Sequence, residues 1–265
     1  MPVLVVVALR LADTPGGLSV ADECALEYAL RLAAARDGEC LAVTAGPPAA
    51  DVVLRTALAA GADRVLRIAM VEGPADDGSR AASAIAAAIA ERGPDLVVCG
   101  DYSADRGTGA TPAFLAAAMG ARQVLGVLEP GWGPGGALLA ERRLDGGRRE
   151  RVRAETPVVC SVEPADVRLR RASLPAMLAA KSAPVPCAIP ESSTVDARVR
   201  LLPPVPFRPR TRRVPAPEGA GPRERLLALT GALDEHDPPR LVRPADAGAA
   251  ATELLNYLRQ HGYLP

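Results

Sequence analysis

Residues Val97–Ala116 read "VVCGDYSADRGTGATPAFLA". An apolar run stops at Gly100. A polar stretch with two aspartates, an arginine and two glycines follows, and an alanine-rich helix is predicted over Thr111–Met119. A strand that passes through a glycine-rich turn into a helix is one β-α unit, and whether its neighbours repeat it decides the fold.

Upstream the unit repeats three times. Val3–Leu9 is a continuous aliphatic run, the pattern of a strand buried on both faces. "LSVADECALEYALRLAAARDG" follows, with a capping-box signature in Ser19 and Asp22, an apolar face of Ala25, Leu26, Ala29, Leu30, Leu32 and Ala33, and Gly38 as its predicted stop. "CLAVTAG" and "PAADVVLRTALAAG" make the second strand and helix, the latter ending at Gly61. "DRVLRIAM", a loop over Gly73–Gly78 and "SRAASAIAAAIAERG" make the third pair, and "DLVVCG" leads into the opening stretch. This β-α-β-α-β-α-β-α order predicts an α/β fold with a Rossmann-like, mostly parallel sheet, helices on both faces and right-handed crossovers.

Downstream the rhythm changes. "RQVLGVLEP" and "ALLAERRLDGGRRERVRAETPVVCSV" read as short strands joined by turns, with Asp145-Gly146 supplying the positive φ angles of a hairpin, so an antiparallel extension of the sheet is expected. From Ala183 the chain becomes proline-rich, in "APVPCAIPESSTV" and "LLPPVPFRPRTRRVPAPEGAGP". These stretches are expected to be extended, followed by two short helices at about 222–233 and 247–260. The division expected is an α/β domain over 1–185 and a C-terminal arm over 186–265 that is stable only when laid on another surface.

Of the 265 residues, 49% are apolar, with only two Phe and one Trp. The core must therefore close through small aliphatic side chains. Net charge is zero, from 31 basic and 31 acidic residues, which argues against nucleic acid or an anionic membrane as partner. No apolar run reaches the roughly 18–20 residues that cross a bilayer. The five cysteines are scattered, odd in number and without a CxxC pair, so reduced thiols in the cytoplasm are expected.

In a parallel α/β sheet, ligands sit at the carboxyl ends of the strands, where the loop after "DLVVCG" lies. Gly107 and Gly109 permit close backbone approach. The N–H groups that open the next helix favour an anion, with Thr108 and Thr111 as hydroxyl donors and Arg106 as a partner for phosphate or a solvent-facing side chain. The segment matches neither GxxxxGK[ST] nor GxGxxG and has no P-loop lysine, so nucleotide hydrolysis is not expected. A glycine-rich turn that binds nothing is the alternative reading of the same residues. Both histidines, His236 and His261, fall in the arm, which excludes a Ser-His-Asp triad or multi-histidine metal site in the α/β domain. Asp101 and Asp105 are readable as an acid/base pair or as ordinary turn aspartates.

Four segments, taken in order and spacing, resemble the β subunit of electron transfer flavoproteins: "ECALEYALRL" (23–32), "AVTAGPPAADVVLRTALAAGADRVLRI" (42–68), "DLVVCGDYSADRGTGATPAFLAAAMG" (95–120) and "PVVCSVEPADVRLRRASLPAMLAAK" (157–181). The likeness covers roughly residues 1–185 and, more weakly, "ELLNYLRQHGYL" (253–264). It implies a heterodimer with an α subunit that holds most of a redox-active FAD. The β subunit would carry AMP, or a second FAD in its place, and its arm would lie on the α subunit. It implies an electron carrier with no catalytic centre of its own and no metal, passing electrons from flavin-dependent dehydrogenases toward the quinone pool.

Carried over by position, the nucleotide residues are Ala8, Ser19, Val20, Ala21, Asp22, Ala45, Asp105, Arg106, Gly107, Thr108, Gly109, Ala110 and Thr111. The segment 168–181 corresponds to the family's recognition loop for the dehydrogenase, with Leu174 as the inserted anchor and Arg171, Pro175 and Met177 beside it. From the residues alone, this segment also reads as the start of an amphipathic helix with Pro175 in its first turn. The chain departs from the family in having Ser19-Val20 where many members have Asn-Pro. It also has "GDYSADRGTGA" for a loop commonly like "GxQAIDGDTGQ", and only Lys181 of a lysine-rich run. Two other classes stay open at this level: a non-redox, adenine-nucleotide-binding regulatory α/β protein, and a small transferase or hydrolase that uses Asp101 and Asp105.

Overall fold

A computed structural model describes residues 2–12, 14, 17–70, 78–103, 108–164, 167–190, 221–230 and 241–264. Within residues 1–205 the elements are β1 (Leu4–Ala8), α1 (Val20–Ala34), β2 (Glu39–Gly46), α2 (Asp51–Ala60), β3 (Arg64–Ala69), α3 (Ser79–Ile89), β4 (Leu96–Gly100), α4 (Ala110–Met119), β5 (Arg122–Trp132), β6 (Leu138–Arg143), β7 (Arg149–Ala154), β8 (Val158–Val162), α5 (Leu174–Ser182) and β9 (Cys187–Ala188). Residues 206–265 form a second compact unit with α6 (Pro222–Thr230) and α7 (Ala247–Gln260); α7 is capped by the Asp246 carboxylate, which accepts from the Ala249 N–H at 2.8 Å.

The nine strands lie in one sheet in the order β7-β6-β5-β8-β4-β1-β2-β3-β9. From β1 the chain steps through β2 to β3 on one side, then crosses to place β4 on the other side of β1. All these neighbours are parallel, with Val6 opposite Leu41 and Val97. Alternate residues of each strand feed two separate cores. Val5, Val7, Ala42 and Val98 pack with α1 and α2 through Leu26, Ala29, Val53 and Leu54. Val6, Leu41, Val43 and Val97 pack with α3 and α4 through Ile85, Ile89 and Leu115. Burying an aliphatic side chain of this size contributes roughly 1.5–3 kcal/mol before entropy, so the two-sided burial of β1 fixes the doubly wound arrangement.

The antiparallel extension is β5-β6-β7 alone. "VVCSV", which the sequence reading placed at the end of that meander, is instead β8, parallel to both β4 and β5 and inserted between them. All five of its residues are buried, which is the pattern of an interior parallel strand. In the β6–β7 turn the left-handed residues are Gly146 and Gly147 (φ 71° and 74°), one position later than the Asp-Gly reading placed them. The stop of α1 also differs. The helix ends at Ala34, and the left-handed residue is Asp37 (φ 48°), not Gly38. Gly38 is glycine for another reason: a Cβ there would lie 2.3 Å from the Val3 carbonyl oxygen.

Few aromatics are present, and two of them tie layers together. Tyr28 on α1 donates its hydroxyl to the Leu128 carbonyl at 2.9 Å, and the Trp132 indole N–H donates to the Leu32 carbonyl at 2.8 Å. The sheet edges are β7, whose Arg149, Arg151 and Arg153 are exposed, and the two-residue β9, parallel to β3 and flanked by Pro186 and Pro190.

Candidate functional site

The strand order reverses between β1 and β4, so the carboxyl ends of these neighbouring parallel strands open a crevice. A cleft of about 680 Å³, counting its open mouth, lies there. Its floor is formed by the strand ends at Ala8, Ala45, Cys99 and Gly100, and its rim by Arg10, Tyr102, Ser103 and Thr108.

Two helices begin at this cleft, α3 after Gly78 and α4 after Gly109. Both N-cap positions are glycine, so neither cap residue supplies a side-chain acceptor to its own helix. Both glycines line the cleft, together with Thr111 and Pro112 from the first turn of α4. The first N–H groups of a helix have no partner within it. Among the described residues no side chain accepts from the Ala110 or Thr111 N–H groups. Uncapped N–H groups beside the Thr108 and Thr111 hydroxyls suit an anionic group such as phosphate. Ala8, Ala45 and Ala81 put small side chains on the cleft wall, and the donor set suits the phosphate of a nucleotide.

Gly109 has an ordinary φ of −109°, so its conformation does not require glycine. Its packing does, because a Cβ would stand 2.3 Å from the Asp101 carbonyl oxygen. The glycine thus lets the β4–α4 loop close on itself, with the Ser103 N–H donating to the Thr108 carbonyl at 2.9 Å. Asp105, Arg106 and Gly107 lie outside the described residues.

Asp22, in the first turn of α1, forms part of the cleft wall and is 8% exposed. Ser19 caps the helix by accepting from the Asp22 N–H at 3.1 Å and donates its hydroxyl back to the Asp22 carboxylate at 2.9 Å. The backbone N–H groups of Arg10 and Gly100 also donate to that carboxylate. Asp22 therefore joins the end of β4 and the residues after β1 to the start of α1. Burial pushes its carboxyl up to about 6, against the opposing pull of the Ser19 hydroxyl, the Arg10 N–H and charge, and the Gly100 N–H. Of the other residues expected from this loop, Ser19 and Ala21 are buried beneath the wall, and Val20 is exposed; none of the three lines the cleft.

Asp101 does not line the cleft either. Its carboxylate accepts from the Ser161 hydroxyl at 2.5 Å and the Gly126 N–H at 3.2 Å, which binds the loop to β8 and β5. That is a turn-and-tether role rather than half of an acid/base pair. Cys24, Cys40, Cys99 and Cys160 are buried, and desolvation raises the thiols of Cys40, Cys99 and Cys160, so these act as small apolar side chains. The contributions of Gly78, Ala81 and Ile85 to the cleft were not anticipated from sequence. The available signal was the recurrence at Gly78 of the strand–glycine–helix order seen at Gly109.

The second cluster is α5. Ser173 caps it, accepting from the Ala176 N–H at 3.3 Å, and Pro175 sits in its first turn, where a missing N–H costs nothing. Leu174 is 67% exposed, and Met177, Leu178, Pro175 and Arg171 are exposed beside it. An apolar cluster of this kind, flanked by Arg168, Arg171 and Lys181, has the composition of an interface core with a polar rim. Leu178 is the member that positional carry-over omitted. No helix among the described residues is long and apolar enough to cross a membrane.

Fold and site together define a doubly wound α/β protein with an anion-suited cleft at its switch point. The profile of the electron transfer flavoprotein domain family matches residues 6–189, ending just after β9. The electron transfer flavoprotein subunit beta of Syntrophomonas wolfei is 31% identical over 182 residues, 68% of this chain and 70% of that protein. The subunit of the same name from Bradyrhizobium diazoefficiens is 31% identical over 199 residues, 73% of this chain and 76% of that protein. The Methylophilus methylotrophus subunit is 27% identical over 167 residues, 62% and 63% of the two chains. The chain belongs to the electron transfer flavoprotein β-subunit family.

Proposed function

We propose that this chain is the β subunit of a heterodimeric electron transfer flavoprotein, a cytoplasmic carrier with no bond-making centre of its own. It pairs with an α subunit, receives electrons from flavin-dependent dehydrogenases and passes them toward the quinone pool. Bound FAD, shared with the α subunit, supplies the redox chemistry. The switch-point cleft holds AMP, or a second FAD in its place.

In this reading the chain's own residues bind and orient. The Ala110 and Thr111 N–H groups and the Thr108 and Thr111 hydroxyls hold phosphate, with Asp105, Arg106 and Gly107 in the same loop. Ala8 and Ala45 allow the base to lie against the strand ends. Leu174, Pro175, Met177 and Arg171 dock the dehydrogenase, and the basic residues steer toward an acidic surface. Residues 186–265 lie on the α subunit. The observation that carries the reading is the meeting of two glycine-capped helix N-termini at one switch-point cleft, in a chain of this family.

Co-expression with an electron transfer flavoprotein α subunit from the same organism tests the proposal. The complex is purified and denatured, and the released nucleotides are separated and quantified. A heterodimer that yields FAD plus AMP, or two FAD, is expected. A flavin-loaded heterodimer with no second nucleotide would refute the cleft. A chain that binds adenine nucleotide with no α partner and no flavin would be the regulatory protein instead. Deletion of residues 186–265 is expected to abolish the complex.

A further inference from the structure

We infer that Glu27, buried on α1, is a positioning residue for docking: through Arg170 it holds the start of α5 so that Leu174 is presented in one fixed place. This rests on the reading of Leu174 as the dehydrogenase anchor. Residues 167–173 have no regular structure between β8 and α5, and ties to α1 hold them down. The Arg170 main-chain N–H donates to Glu27 Oε2 at 3.1 Å, its Nε to Oε2 at 2.9 Å, and its Nη2 to Oε1 at 3.1 Å. Arg31 adds Nε to Oε1 at 2.7 Å. One turn earlier on the same helix face, the Cys24 thiol donates to the Val167 carbonyl at 3.2 Å.

Glu27 is 3% exposed, an unusual place for a carboxylate. Burial alone would raise its carboxyl. The hydrogen bonds from Arg170 and Arg31 outweigh that and hold it below the ordinary range, so it stays ionised at neutral pH. Bidentate guanidinium–carboxylate pairing fixes direction as well as distance. Leu174, four residues after Arg170, is the first residue of α5, which packs on α2 and buries Ala180 toward its other end. The clamp is therefore a local restraint on the Leu174 end of α5, and it touches neither the cleft nor Leu174 itself.

The test uses the intact heterodimer and a flavoprotein dehydrogenase that reduces it, with KM for the heterodimer and kcat measured separately. Glu27→Gln and Leu174→Ala are each expected to raise KM by about tenfold, with kcat and bound nucleotide unchanged. The double variant is expected to be no worse than Leu174→Ala, because Glu27 acts through that leucine. Arg170→Gln repeats the test from outside the core if Glu27→Gln fails to fold. If Leu174→Ala raises KM and the Glu27 and Arg170 variants do not, the positioning role falls and the anchor stands. An unchanged KM in Leu174→Ala overturns the anchor and this inference with it. Multiplied effects in the double variant, or a fall in kcat at constant KM, place Glu27 outside docking and overturn the inference.

Discussion

Asp22→Asn should make the protein more stable at neutral pH, although it removes a hydrogen-bonded carboxylate. Burial lifts this carboxyl from an ordinary 3.8 to about 6, even against three hydrogen-bond donors and the Arg10 charge. Each pH unit of such a difference is worth about 1.4 kcal/mol, so ionised Asp22 costs the folded state roughly 3 kcal/mol above pH 6. The folded state binds the proton more tightly than the unfolded chain. The associated stability is thus fully present below about pH 4 and is lost as pH rises toward 6. Asparagine mimics the protonated acid: it can still accept from the Arg10 and Gly100 N–H groups, and its amide can donate to the Ser19 hydroxyl. Urea unfolding of wild type and variant at pH 4.5 and pH 8 checks this. The variant should be near neutral at pH 4.5 and more stable by about 1–3 kcal/mol at pH 8, or several degrees in Tm. A variant that is destabilised equally at both pH values would refute the argument, because the carboxylate charge would then contribute nothing and the hydrogen-bond geometry everything.

Other substitutions separate packing from function. Gly109→Ala drives a Cβ to 2.3 Å from the Asp101 carbonyl, so the β4–α4 loop must open; the second nucleotide released from the heterodimer should fall well below the wild-type amount, while far-UV circular dichroism is unchanged. Gly38→Ala meets the Val3 carbonyl at 2.3 Å and should cost about 1–3 kcal/mol in chemical denaturation, with no effect on nucleotide content. Leu174→Ala, at a side chain 67% exposed, should change stability by less than about 0.5 kcal/mol in the same assay, so any docking defect is not a folding defect.

The doubly wound α/β fold was legible because its signals are local. Val3–Leu9 and "DLVVCG" are aliphatic runs that only burial on both faces explains, and Gly61 stops α2 with a φ of 111°. Strand order was not legible in the same way. "VVCSV" carries the signature of an interior strand, but nothing within five residues says that it enters between β4 and β5 rather than following β7. The stop of α1 was misplaced because Gly38 satisfies two demands that look alike in sequence, a helix end and close approach to a carbonyl. At the site, Thr108, Gly109 and Thr111 were readable from loop chemistry. Gly78 and Ile85 were not, because they reach the cleft only through the packing of α3 beside α4. Glu27 reads as one more charge on a helix until Arg170, 143 residues later, folds over it.

The two rims of the sheet bear on how the molecule keeps company. A bare strand edge is an open template on which another chain can extend the ladder, and proteins that leave one exposed tend to polymerise. Here one rim is β7, along which Arg149, Arg151 and Arg153 are exposed, with Arg149 and Arg151 both paired with Glu141 on β6. The other rim is two residues long and bracketed by prolines that cannot donate to a ladder. Among the described residues both rims thus discourage backbone-mediated growth. Any partner is then met through side-chain surfaces rather than by an added strand, and copies of the chain are kept from stacking edge to edge.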